Sequence, residues 1–271
     1  MFSKLSDVIE YYQSYHLTEN KYHYRAHNLR FFDVWDLKDL RKKDVKEYAA
    51  LRRFKVSNAT INRECSFARA AINRVNEDYD IHLNNPFNKV KFVETDHIAN
   101  YLTRSEYQRL LKSALITSNT DLHDFIVMLT MTGCRPKELL TLEWCNVHLE
   151  HKQFIVRNFY SKSNKTLYKY LNSIALDVLS KRQRQGKYVF MNLKTNDRYK
   201  SFTKSFGRCK DRANLTCTMY DLRHTYASWL LQSGVGIYTI KELLGHNDIS
   251  STMRYAHLDY SQYVGAVEKI S

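Results

Sequence analysis

Apolar positions in the first eighty residues recur every three to four places, the spacing that lines one face of a helix, and predict helices at about 3–15, 19–34, 42–53 and 58–77. The last is the clearest. Ser57 or Asn58 can cap it, and Ile61, Cys65, Ala68, Ile72 and Val75 fall on one stripe. Its other face carries Arg63, Arg69 and Arg74, and the preceding segment adds Arg41, Lys42, Lys43, Arg52, Arg53 and Lys55. This is either a solvated basic face or one that meets an anionic partner. At DIHLNNPFNKVKFVETDH the helical period stops, and Asn-Asn-Pro86 marks a turn. A linker over 81–98 then separates a helical domain, 1–80, from a second domain, 99–271.

The second domain opens on Thr103 and Glu106, a capping-box pair ahead of a helix to about Ala114, and a further helix runs from Asp121 to about Thr132, closed by Gly133. Two short apolar and β-branched runs near 152–159 and 167–171, joined by a Ser/Lys/Asn turn at 160–166, predict a small antiparallel sheet. Helices resume from about Ile174. Thr218 and Asp221 repeat the capping box and start a helix over Met219–Gln232. Leu222, Tyr226, Trp229 and Leu230 share its buried face, while Tyr220 and Arg223, three apart, lie together on a neighbouring one. The fold class is mainly α with a small antiparallel β-sheet.

Composition narrows the partners. The chain has 271 residues, 44% of them hydrophobic, enough for two cores, and only 7 glycines and 2 prolines, which favours helices. Lys+Arg number 42 against 28 Asp+Glu, a net charge of +14 that suits a polyanion. No apolar run approaches the ~18 residues of a membrane span, and MFSKLSDVIE is too polar for a signal peptide, so a cytoplasmic location is expected. Five cysteines (Cys65, Cys134, Cys145, Cys209, Cys217), odd in number and without metal-ligand spacing, read as core residues rather than ligands.

One charge stands apart. Gly133 closes a helix and Pro136 opens the next, so Arg135 between them is held on a rigid corner, where Glu138 in the new first turn could orient it. A plain helix–helix corner is the other reading of this stretch.

TGCRPKELLTLEW at 132–144, SKSNK at 161–165, YDLRHTYASWLLQSGV at 220–235 and LLGHNDISSTMRYAHL at 243–258, in that order, resemble the tyrosine recombinase (phage integrase) family across about 100–271. SNATINREC at 57–65 resembles the last long helix of the family's core-binding domain. The resemblance implies a two-domain DNA-clamp architecture, a helical core-binding domain plus a catalytic domain. It implies Arg135 and Arg223 as phosphate-binding arginines, Lys162 as the mobile lysine of the sheet turn, His246 as the histidine of the LLGH box and Tyr255 as the nucleophile. Glu138 and His224 are supporting residues; His224, with Leu142, Trp144 and Gly245, is assigned packing or loop geometry. Tyr220 departs from the family, which usually has histidine there. The implied partners are double-stranded DNA core sites and a homotetramer exchanging strands through a Holliday junction, with scope for an accessory directionality protein, no membrane and no cofactor. The expected protein is a compact integrase or resolvase of a mobile element, prokaryotic or phage-encoded and nucleoid-associated, with no room for an arm-site domain before the first helix. Residues 259–269 are expected to form a helix that docks on a neighbouring subunit or packs on its own.

Chemistry supports these residue types. Breaking a phosphodiester while conserving its energy requires a nucleophile that stays attached, and a tyrosine oxygen can form a 3′-phosphotyrosine that a 5′-hydroxyl later reverses. Two always-charged guanidiniums and a histidine donor stabilise the charge that develops on the phosphoryl oxygens. A flexible lysine can protonate the leaving 5′ oxygen. A phenol, with an ordinary pKa of about 10, is a poor base near neutral pH, so Tyr220 is expected to donate a hydrogen bond or act as a spacer. The alternatives are a catalytically silent DNA-binding protein of the same fold and a nicking-closing enzyme like the type IB topoisomerases.

Overall fold

A computed structural model of the chain describes residues 2–16, 23–94, 100–116, 120–157 and 166–256. It divides into two units, Met1–Asp96 and His97–Ser271, each with its own core. The architecture is mainly helical, and among the described residues every strand lies in the second unit.

The first unit holds α1 (Leu5–His16), α2 (His23–Leu29), α3 (Lys42–Arg52) and α4 (Asn58–Tyr79). The helix expected over 19–34 is shorter, because the chain tightens into a 3-10 turn at Arg30–Val34 that buries Phe32. The apolar stripe of α4 is buried as its spacing predicts. Glu64 is buried with it. Its carboxylate accepts from Tyr48 Oη at 2.8 Å, Asn28 Nδ2 at 2.9 Å and Arg52 Nη2 at 2.6 Å, the bonding a buried charge requires. Residues 81–94, expected as part of a linker, instead pack back onto this unit. Phe87 is fully buried with its ring 5.2 Å from Phe32, and the side chains of Asn76 and Asn62 each bond both the N–H and the C=O of a residue in this stretch, Leu83 and Phe92. Asn-Asn-Pro marks a turn, but the aromatic residue that follows decides where the chain goes.

The second unit runs α5 (Arg104–Leu115), α6 (Thr120–Thr132), α7 (Pro136–Leu140), β1 (Val147–His148), β2 (Gln153–Arg157), β3 (Thr166–Tyr170), α8 (Ser173–Lys181), β4 (Met191–Asn192), β5 (Asp197–Arg198), α9 (Thr203–Arg212), α10 (Met219–Gln232), α11 (Ile237–Leu244) and α12 (Ser250–Met253). Buried on almost every side, α6 is the central helix, packed against α5, α8 and α10. The predicted hairpin is β2–β3, with Phe154 opposite Lys169 and Val156 opposite Leu167, and β1 adds an edge strand. Four of the five cysteines are buried, whereas Cys145 is exposed and no part of a core. Among the described residues no helix is long and apolar enough to cross a membrane.

Candidate active site

Helix α10 starts as its sequence dictates: Thr218 Oγ1 accepts from the Asp221 N–H, and Asp221 Oδ2 accepts from the Thr218 N–H at 2.7 Å. Leu222 and Trp229 are buried as expected. Arg223, expected on one face with Tyr220, is only 5% exposed, while Tyr220 is 57% exposed. The reason lies in two backbone carbonyls from distant segments. Arg223 Nη1 donates to Gly133 O at 2.6 Å and Nη2 to Leu244 O at 2.9 Å.

Both carbonyls sit where helices stop. Gly133 ends α6 with φ +61°, and a Cβ there would lie 2.4 Å from the Tyr226 ring, so only glycine fits. Two residues on, Arg135 is the N-cap of α7, and Glu138 grips it twice, accepting from its N–H at 2.8 Å and from Nη1 at 2.5 Å. Glu138 therefore holds both the backbone and the guanidinium of the arginine. Burial depresses the pKa of Arg223, and the Arg135 guanidinium depresses it further, so two like charges are held close together.

The end of α11 supplies the other wall. Gly245, at φ +72°, donates to Glu242 O at 3.0 Å while His246 N–H reaches Lys241 O at 3.1 Å, a Schellman closure that fixes the His246 backbone. It leaves the carbonyls of Leu243 and Leu244 at the negative end of the helix. Two cations take them: Arg223, and Lys169 of β3, whose Nζ donates to Leu243 O at 2.5 Å and Leu244 O at 3.2 Å. Lys169 is 1% exposed, and burial lowers its pKa. Its role is not visible in the sequence alone, although TLYKY places Leu167 and Lys169 on one face of an alternating strand. Lys169→Met is expected to lower the melting temperature by a few degrees, since Leu243 O loses its donor while Leu244 O keeps Arg223, and relief from burying an ammonium offsets only part of that loss. Amide exchange at Gly245 and His246 should quicken; exchange as slow as in the parent would contradict this anchoring.

His246 Nδ1 lies 2.8 Å from the buried Thr252 Oγ1; with the hydroxyl assigned as donor, the ring proton falls on Nε2, free to bond an anion. Burial first, then the charges of Arg223, Arg135, Arg254 and Lys169, push the imidazole from 6.5 down to about 4. An unfolded chain titrates near 6.5 and so holds more protons between the two values, which means stability falls as pH falls through that window. Burial lowers the His224 pKa too, with the same sign. Melting curves from about pH 7 down to about pH 4 should show this loss, and His246→Asn should flatten it. An unchanged slope would contradict the assignment.

Tyr255 completes the group. It is 1% exposed, packed with Ala227, Leu231, Ile240 and Leu244, and burial raises its pKa while Arg223 and Arg254 lower it. Its Oη lies 2.5 Å from His224 Nδ1. The assignment of His224 to packing or loop geometry is thus too narrow, because its ring also bonds the Tyr255 hydroxyl. Leu142 and Trp144 are buried, in keeping with a packing role. Lys162 and residues 259–269 lie outside the described residues; the strands flanking the lysine pair Arg157 with Thr166. Among the described residues no three His, Cys, Asp or Glu side chains are placed to hold a metal.

The basic candidates of the first unit divide into two groups. Arg52 is taken up by Glu64, Arg74 pairs with Glu77 and Asp78, Arg41 Nη1 bonds the Lys38 and Leu40 carbonyls, and Arg53 bonds Asn58 and covers the Phe92 ring. Lys42, Lys43 and Arg63 are exposed. Arg63 and Arg69 line a groove of about 570 Å³ with Arg25 and Lys91, two further cations outside the sequence candidates.

Residues 100–262 match the model of the phage integrase family. The chain is 30% identical over 232 residues to the integrase of Haemophilus phage HP1, covering 85% of this chain and 65% of that one, and 29% identical to tyrosine recombinase XerA of Thermococcus kodakarensis, covering 62% and 61%. It thus spans less than two thirds of the length of these relatives. In fold it is similar to the Tn1549 transposon integrase in complex with a circular intermediate DNA, with TM-score 0.81 and 18% identity over 99% of this chain and 100% of that one. A lambda integrase tetramer bound to a Holliday junction is similar too, with TM-score 0.75 and 18% identity over 92% and 76%.

Proposed function

This chain belongs to the phage integrase family, and we propose that it is a tyrosine-type site-specific DNA recombinase that cleaves and rejoins duplex DNA through a 3′-phosphotyrosine on Tyr255. One observation carries the reading: a buried Arg223 anchored to Gly133 and Leu244, and a Tyr255 oxygen held by the residue next to that arginine. In this reading Arg223 and the Glu138-held Arg135 bind the scissile phosphate and stabilise the charge of its transition state. His246 donates a further bond from Nε2. Lys162, in the sequence between β2 and β3, protonates the departing 5′ oxygen.

Basic residues of the first unit, Lys42, Lys43, Arg63 and Arg69 foremost, grip phosphates of a double-stranded core site, so affinity falls steeply with salt. Two such sites and four copies of the chain make the synapse, as with the lambda integrase tetramer on its junction. The second reading, a silent DNA-binding protein, draws on Tyr220 alone, which replaces the family's usual histidine.

A suicide substrate separates the two. On a nicked duplex whose short cleaved strand diffuses away, the enzyme accumulates as a covalent protein–DNA adduct that survives denaturing gels. Site-specific, salt-sensitive binding without any adduct would establish the silent protein instead.

A further inference from the structure

A tyrosine hydroxyl attacks a phosphodiester only if something takes its proton. Tyr220 is a phenol and points its exposed ring away from the core, so it does not meet that need near neutral pH. One turn further along α10, at the i+4 position of the same face, stands His224. Its Nδ1 is 2.5 Å from Tyr255 Oη, with the rings 5.6 Å apart. We propose that His224 is the general base for Tyr255, a catalytic residue that compensates for the missing histidine at position 220. The proposal rests on the reading of Tyr255 as the nucleophile.

The surroundings fit an acceptor. Burial lowers the His224 pKa, Asp221 acts the other way, and Arg254 and Arg223 lower it further, which favours the neutral ring. With the Tyr255 hydroxyl assigned as the donor, Nδ1 is the acceptor. Burial holds the Tyr255 phenol above its ordinary pKa, which the same arginines offset in part, so its ionisation calls for a base. The Oη–H bond breaks and its proton passes to Nδ1, which becomes imidazolium. Oη forms a bond to phosphorus, the bond from phosphorus to the 5′ oxygen breaks, and that oxygen takes a proton from Lys162. In rejoining, the 5′-hydroxyl attacks phosphorus and returns its proton to the lysine, while Oη leaves and recovers its proton from His224.

The test is the single-turnover rate of adduct formation against pH, on the nicked duplex, for the parent, His224→Gln and His224→Asn. A general base contributes about 10²–10⁴-fold, so both variants should be slower by about that much near pH 7 while binding DNA as the parent does. Their rates should also climb with pH, about tenfold per unit, as the phenol ionises without help. A duplex with sulfur in place of the bridging 5′ oxygen adds a second readout, since a thiolate leaves without a proton. It should restore Lys162→Ala and leave the His224 variants slow. Variants within about threefold of the parent, profiles parallel to the parent's, or rescue by the sulfur substrate would each overturn the proposal. Absence of an adduct from the parent itself would instead remove the reading of Tyr255 on which it stands.

Discussion

Tyr255→Phe is expected to fold, bind core DNA and form no covalent adduct. The side chain keeps its packing against Ala227, Leu231, Ile240 and Leu244 and loses only the oxygen bonded to His224. Losing that bond costs about 1 kcal/mol of stability, a shift of a few degrees in melting temperature. The loss in rate is of another order, because removing a nucleophile abolishes the step that every later one follows; about 10⁶-fold is the scale set by nucleophile deletion elsewhere. Adduct formation and thermal melting measured together check both halves. An adduct at more than a trace would move the nucleophile to another of the 20 tyrosines.

Arg223→Ala is expected to damage both chemistry and fold. A guanidinium on a phosphoryl transition state is worth about 10³–10⁵ in rate. The same side chain satisfies Gly133 O and Leu244 O, and a buried carbonyl left without a donor costs about 1–3 kcal/mol. Lys169 still reaches Leu244 O at 3.2 Å, so the greater loss falls at Gly133. Arg223→Lys retains the charge but lacks the fork that spans two carbonyls, and should fall between the parent and alanine in melting temperature. Cleavage by Arg223→Ala within about tenfold of the parent would contradict its place on the phosphate.

Much of this architecture is legible where chemistry is local. The two capping boxes set the starts of α5 and α10, Gly-Cys-Arg-Pro builds the corner that holds Arg135, and alternation marks β2 and β3. What escapes is tertiary. The Lys169 ammonium turns inward because α11 ends on two carbonyls that its Schellman turn leaves open, a demand made from 74 residues away. Arg223 is buried for the same reason. His224 acquires its meaning from Tyr255, 31 positions along the chain. β1, β4 and β5 have two residues each, too few for a period to register. In the first unit, Arg52 and Arg74 look identical in sequence to Arg63, and only the carboxylates facing them set them apart.

The central claim is that Tyr255 becomes covalently joined to DNA, and the most direct measurement is a map of the adduct. The parent chain is incubated with a library of nicked duplexes of randomised centre, and the trapped complexes are digested with nuclease and protease. The remaining nucleotide–peptide is then sequenced by mass spectrometry. The account predicts a 3′-linked nucleotide on the peptide that carries Tyr255, and on no other. A nucleotide on Tyr220 or any other side chain, or binding of the library without a nucleotide-bearing peptide, would contradict it.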